Sequence, residues 1–71
     1  MIILTQNNDA LYDTSNSSAV YIEENTIYLS NYTGEIAYEL GKYDNEERCK
    51  AIIEEIFTFM GCQDKYVMPF V

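Results

Sequence analysis

Between Ala19 and Ser30 the chain alternates apolar and polar residues in one rhythm on both sides of a single dipeptide. Ala19-Val20-Tyr21-Ile22-Glu23 precedes Glu24-Asn25, and Thr26-Ile27-Tyr28-Leu29-Ser30 follows it. β-branched and aromatic residues with a period of two predict strands. Asn25 accepts a positive φ, so Glu24-Asn25 makes a two-residue turn. The register then sets Ile22 against Ile27, Tyr21 against Tyr28 and Val20 against Leu29. Val20, Ile22, Ile27 and Leu29 share one face, and Tyr21 and Tyr28 share the other. A slip of one residue would invert a whole strand, so the pattern admits one pairing.

A second hairpin is predicted to follow through Asn31-Tyr32-Thr33-Gly34, setting Leu29 against Ile36, Tyr28 against Ala37 and Ile27 against Tyr38. The apolar face gains Ile36, Tyr38 and Leu40; the opposite face gains Glu35, Ala37 and Glu39. A sheet with one greasy face must be covered. The cover is a helix over 44–60, where Cys49, Ile52, Ile53, Ile56, Phe57 and Met60 form a stripe of period 3.6. Asp44 is the expected N-cap, with Glu47 completing a capping box, and Gly61 the expected stop. Residues 1–5 predict a short strand, 6–9 a turn, 10–12 a second short strand and 13–18 a loop. Residues 65–71 predict a last strand, which Pro69 confines to an edge or ends. The fold class is therefore α+β: an antiparallel meander sheet of four to six short strands with one C-terminal-half helix packed on one face. Residues 1–71 form a single domain.

Composition narrows the chemistry. Twelve acids stand against four bases and no histidine, for a net charge of −8. That balance opposes direct binding to nucleic acid and to anionic membranes. Without histidine, neither a Ser-His-Asp nor a Cys-His pair can form within the chain. No Gly-rich phosphate loop and no CxxC spacing occurs, so neither a cofactor nor a metal is expected, and the chain does not read as an enzyme. Cys49 and Cys62 lie roughly 20 Å apart if a helix separates them, too far for the ~7 Å reach of a disulfide; both read as thiols. Met1-Ile2-Ile3-Leu4-Thr5 has no basic leader character, and no stretch approaches a membrane span, so the expected location is cytoplasmic.

Two features then point to binding. One is the acidic balance, spread over sheet and helix. The other is tyrosine, at seven residues with no tryptophan. Tyrosine gives rigid contact area with a polar tip. The candidate partner-binding face carries Tyr21, Tyr28, Glu23, Glu35 and Glu39, with Glu54 and Glu55 of the helix as a second acidic set. A basic protein is the partner such a face fits. The same uncovered face could support a homo-oligomer.

The run Leu40-Gly41-Lys42-Tyr43-Asp44-Asn45-Glu46-Glu47-Arg48-Cys49-Lys50-Ala51-Ile52-Ile53-Glu54-Glu55-Ile56-Phe57, with Tyr66-Val67-Met68-Pro69 after it, resembles small proteins from phages and mobile elements of Gram-positive bacteria. In those proteins a meander leads through LGxY and ERxK into one helix and ends in YxMP. Larger proteins that look similar are Thoeris anti-defence sponges, which sequester nucleotide immune signals as oligomers. The resemblance implies a protein acting in the cytoplasm of a bacterial host cell. Its leading reading is an anti-CRISPR-like inhibitor that occupies the basic groove of a host defence protein, such as a nucleic-acid-binding effector. The alternative is a nucleotide sponge, with Arg48 and Lys50 holding phosphates and Tyr43 stacking on a base. A third is a structural accessory protein.

Overall fold

A computed structural model describes residues 1–71. In chain order it has β1 (Ile2–Leu4), β2 (Leu11–Asp13), β3 (Ser17–Glu23), β4 (Thr26–Asn31), β5 (Ala37–Lys42), α1 (Glu46–Phe59) and β6 (Lys65–Val67). The class is α+β with one helix in the C-terminal half. The strands divide into two sheets of three, ordered β3-β4-β5 and β2-β1-β6.

The first hairpin takes the predicted register, with Val20, Tyr21 and Ile22 opposite Leu29, Tyr28 and Ile27. Glu24 and Asn25 hold φ of 49° and 62° at its turn, the positive values a two-residue hairpin turn demands. One departure lies upstream. The strand starts at Ser17, where 13–18 was expected as loop, and Ser18 bulges so that its hydroxyl lies 2.7 Å from that of Ser30. Before it, Thr14–Asn16 make one tight helical turn capped by Asp13.

The second hairpin corrects the expected pairing by two residues: Leu29 faces Tyr38, not Ile36, and Tyr28 faces Glu39. The cause is a longer turn. The Asn31 side-chain oxygen accepts from the Ile36 N–H at 3.2 Å and from the Thr33 hydroxyl at 3.1 Å, closing residues 32–36 as a loop. An even shift preserves the two faces, but it pushes Ile36 out of the core to 51% exposure. Tyr38, also expected inside, sits half-open at the rim and stacks on Tyr12 at 5.0 Å. A bulge then sets Ile27 opposite Gly41. Leu40 becomes the extra residue, and Leu40 and Gly41 are both buried.

The helix begins one residue later than the capping-box pattern implied. Asn45, not Asp44, is the N-cap, and its side chain accepts from the Arg48 N–H at 2.8 Å. Glu46 and Glu47 then lie in the first turn, where the helix dipole favours anions. The C-terminal end closes at Gly61, with φ of 84°, and the Cys62 and Gln63 N–H groups donate to the Phe59 carbonyl. Cys49, Ile52 and Ile56 are buried. The stripe is narrower than the periodicity suggested: Phe57 is 79% exposed, and Phe59 meets the core instead, edge-on against Tyr66 at 5.4 Å.

β1, β2 and β6 form the second sheet. The Thr5 hydroxyl organises the turn between β1 and β2, donating to Asp9 at 2.8 Å and accepting from the Asp9 and Ala10 N–H groups. After α1 the chain returns to lie parallel to β1, which a crossover helix permits and a hairpin does not. Ile3 and Tyr66 of this sheet join Ile27, Leu29, Leu40, Cys49, Ile52, Ile56, Tyr43 and Met68 in one core. The sheets meet beside β5, where the Gln6 N–H donates to the Leu40 carbonyl and the Gln6 side chain accepts from the Lys42 N–H.

Candidate functional site

On the large sheet, alternation along each strand sends Ile27 and Leu29 into the core and their neighbours to the opposite face. There Tyr21 and Tyr28 stack, with centroids 5.6 Å apart and planes 26° from parallel. Tyr28 is also the register partner of Glu39, so Tyr21, Tyr28 and Glu39 form one row across three strands. Glu23 lies two residues along from Tyr21 and opposite Thr26. Both glutamates are exposed, while the paired tyrosines shield each other and are half-buried. Glu35 lies in the 32–36 turn beyond Ala37, also exposed. Four of the five expected residues of the face are thus gathered on adjacent strands, with Glu35 at one end.

The helical acids lie elsewhere. Glu54 is exposed, and Glu55 accepts a hydrogen bond from the Tyr66 hydroxyl at 2.8 Å. Tyr66 is raised well above the ordinary phenol range, first by burial and then by that bond to a carboxylate. Glu55 therefore has a structural partner within the chain.

The expected ligand set is only partly assembled. Lys42, Tyr43 and Arg48 line one hollow of about 360 Å³, with Gln6, Asp44, Asn45, Phe70 and Val71. Tyr43 is nearly closed off from solvent, which leaves little of its ring open for a base to stack on, and its hydroxyl donates to the Pro69 carbonyl at 2.8 Å. Burial pushes its hydroxyl up to about 12. Arg48 spends its Nε and Nη2 on the Val71 main-chain oxygen, at 3.2 and 3.0 Å. Lys50 does not line this hollow and lies 3.8 Å from Glu46, one helical turn away.

The expected face has an extension that sequence reasoning missed. Beside Glu39, a hollow of about 400 Å³ is lined by Tyr12, Tyr38, Asp9, Thr5 and Leu40 among others. It continues the aromatic and acidic character of the face around the β5 edge. The signal for it was the pairing of Tyr12 with Tyr38, which joins strands of two different sheets and leaves no local pattern.

No helix is long and apolar enough to cross a membrane, and no group of three His, Cys, Asp or Glu side chains converges as a metal would need. The chain matches no protein-family model, no curated protein and no solved structure at a significant level.

Proposed function

We propose that this chain is a binding protein that sets its tyrosine and carboxylate face into a basic groove of a protein partner. In the finer form of this reading, which rests on the phage-like 40–57 segment, the partner is a bacterial defence effector and the chain inhibits it. The observation that carries the binding reading is the row Tyr21–Tyr28–Glu39 beside Glu23, on a sheet face of a chain with net charge −8. Stacked tyrosines give a rigid anchor that loses little side-chain entropy on docking. The surrounding carboxylates steer a cationic surface toward it and reject an anionic one.

The test is capture from a bacterial host lysate on the immobilised chain, at low and at high salt, with the mass of the eluted complex measured. A basic protein should be retained at low salt and released at high salt. The pair Tyr21→Ala and Tyr28→Ala should lose it, and Glu39→Lys should weaken it. Retention that ignores both salt and these substitutions would refute the reading.

One observation favours the nucleotide alternative: two of the four cations, Lys42 and Arg48, line the same hollow against a single carboxylate, Asp44, with exposed Phe70 at hand. Calorimetry with cyclic nucleotides checks it, and Arg48→Ala should abolish any heat that is seen.

A further inference from the structure

The small sheet buries one face and leaves the other bare. Ile3 and Tyr66 are closed in the core and Tyr12 packs against it. Alternation sends Ile2, Leu4, Leu11 and Val67 to the far side, where Leu11 and Val67 are 66% and 63% exposed. With Lys65 they line a shallow hollow of about 320 Å³. This surface shares no residue with the tyrosine face.

Its registers make two rows across the sheet. One is Asp13–Ile2–Lys65, and the other is Leu11–Leu4–Val67. A two-fold axis laid between two copies and parallel to the strands reverses strand order while keeping each row in place. Ile2 then meets Ile2, Leu4 meets Leu4, Leu11 meets Val67 and Asp13 meets Lys65. Apolar groups cover apolar groups and each charge finds its opposite. An axis laid across the strands would instead press Asp13 and Lys65 onto leucine and valine, at the cost of two desolvated charges. Asp13 is equipped for the first arrangement. Its contacts to the Ser15 N–H, the Ser15 hydroxyl and the Met1 nitrogen all use Oδ1, which leaves Oδ2 uncommitted.

The geometry points to this bare face as a two-fold self-association surface, occupied by a second copy of this chain with Asp13 opposite Lys65. The sheets would stack about 10 Å apart. Three strands ~4.8 Å apart and three residues of ~3.3 Å give a footprint of about 10 by 14 Å. That is well short of the ~800 Å² per partner of a stable interface, so the dimer is weak. Each copy carries net charge −8, and the resulting repulsion acts at longer range than the two local pairs. Moderate salt therefore strengthens this association, the opposite of its effect on a basic partner.

Sedimentation equilibrium of the full chain between about 10 µM and about 1 mM tests this. The weight-average mass should climb from that of the 8.2 kDa chain toward twice that value. Val67→Asp should abolish the climb. At moderate salt, where the net repulsion is screened, Asp13→Lys and Lys65→Asp should each weaken association by at least about fivefold, because like charges then face each other. An equimolar mixture of these two variants should associate more tightly than either alone, since both cross-pairs become attractive. Should Asp13→Lys fail to fold for want of its turn cap, Asp13→Asn keeps the capping oxygen, and mixed with Lys65→Asp it should still outcompete the Lys65→Asp homodimer. Monomer mass throughout, or a mixture no tighter than its components, would overturn the proposal, as would association that survives Val67→Asp.

Discussion

Tyr43 ties the helix entrance to the last residues of the chain. Its ring sits in the core and its hydroxyl reaches the Pro69 carbonyl, so Tyr43→Phe leaves a carbonyl short of its donor. The expected loss is about 1 kcal/mol, read from a urea midpoint at neutral pH. Burial raises Tyr43 from 10.0 to about 12, with the Arg48 charge pulling weakly the other way. The folded chain therefore keeps a proton that the unfolded chain has already released. Its contribution is fully present below about pH 10 and declines as pH rises through about 12. Tyr66 is raised in the same direction, by burial first, so Tyr43→Phe should reduce the alkaline fall in stability without removing it. A stability profile that stays flat from pH 10 to pH 12 would contradict the burial of both rings.

At the level of the elements, the bulge in β5 sets how tightly sheet and core can close. A side chain on Gly41 would begin 2.7 Å from the Tyr43 hydroxyl and 2.9 Å from its ring. Gly41→Ala should therefore cost about 1–3 kcal/mol through overpacking, and should cost less when made in a Tyr43→Leu background. If Gly41→Ala melts like the parent, the close approach of β5 to Tyr43 is wrong. The first hairpin was legible because pattern and turn agree: two alternating strands meet at a dipeptide that takes positive φ. The second was misread because Asn31 uses its side chain to close a longer loop, a local bond that no alternation reports. The helix was legible from its stripe, but neither its cap nor its buried edge was. Asp44 and Asn45 are both good caps, and periodicity alone could not tell Phe57 from Phe59. Only the position of Tyr66, fixed by a parallel pairing distant in sequence, decides which phenylalanine is covered. The tyrosine pair followed from register, whereas the bare face of the small sheet depends on β6 finding β1, which three-residue strands do not announce.

For the whole molecule, the free energy holding it together is small: a chain of this length is expected to be stable by roughly 4–10 kcal/mol. It carries two thiols in opposite situations. Cys49 is sealed in the core, raised by burial and then by the nearby Glu46 charge, while Cys62 stands in solvent just past the helix. A maleimide should therefore modify one sulfur in each closed chain at once and the second only when that chain opens. Mass spectrometry of the doubly modified fraction against time then measures how often the molecule opens, without denaturant. Gly41→Ala should speed that second modification by about 5- to 150-fold if opening is global. The pairing of one guarded sulfur with one unguarded sulfur thus makes the chain a clock for its own opening.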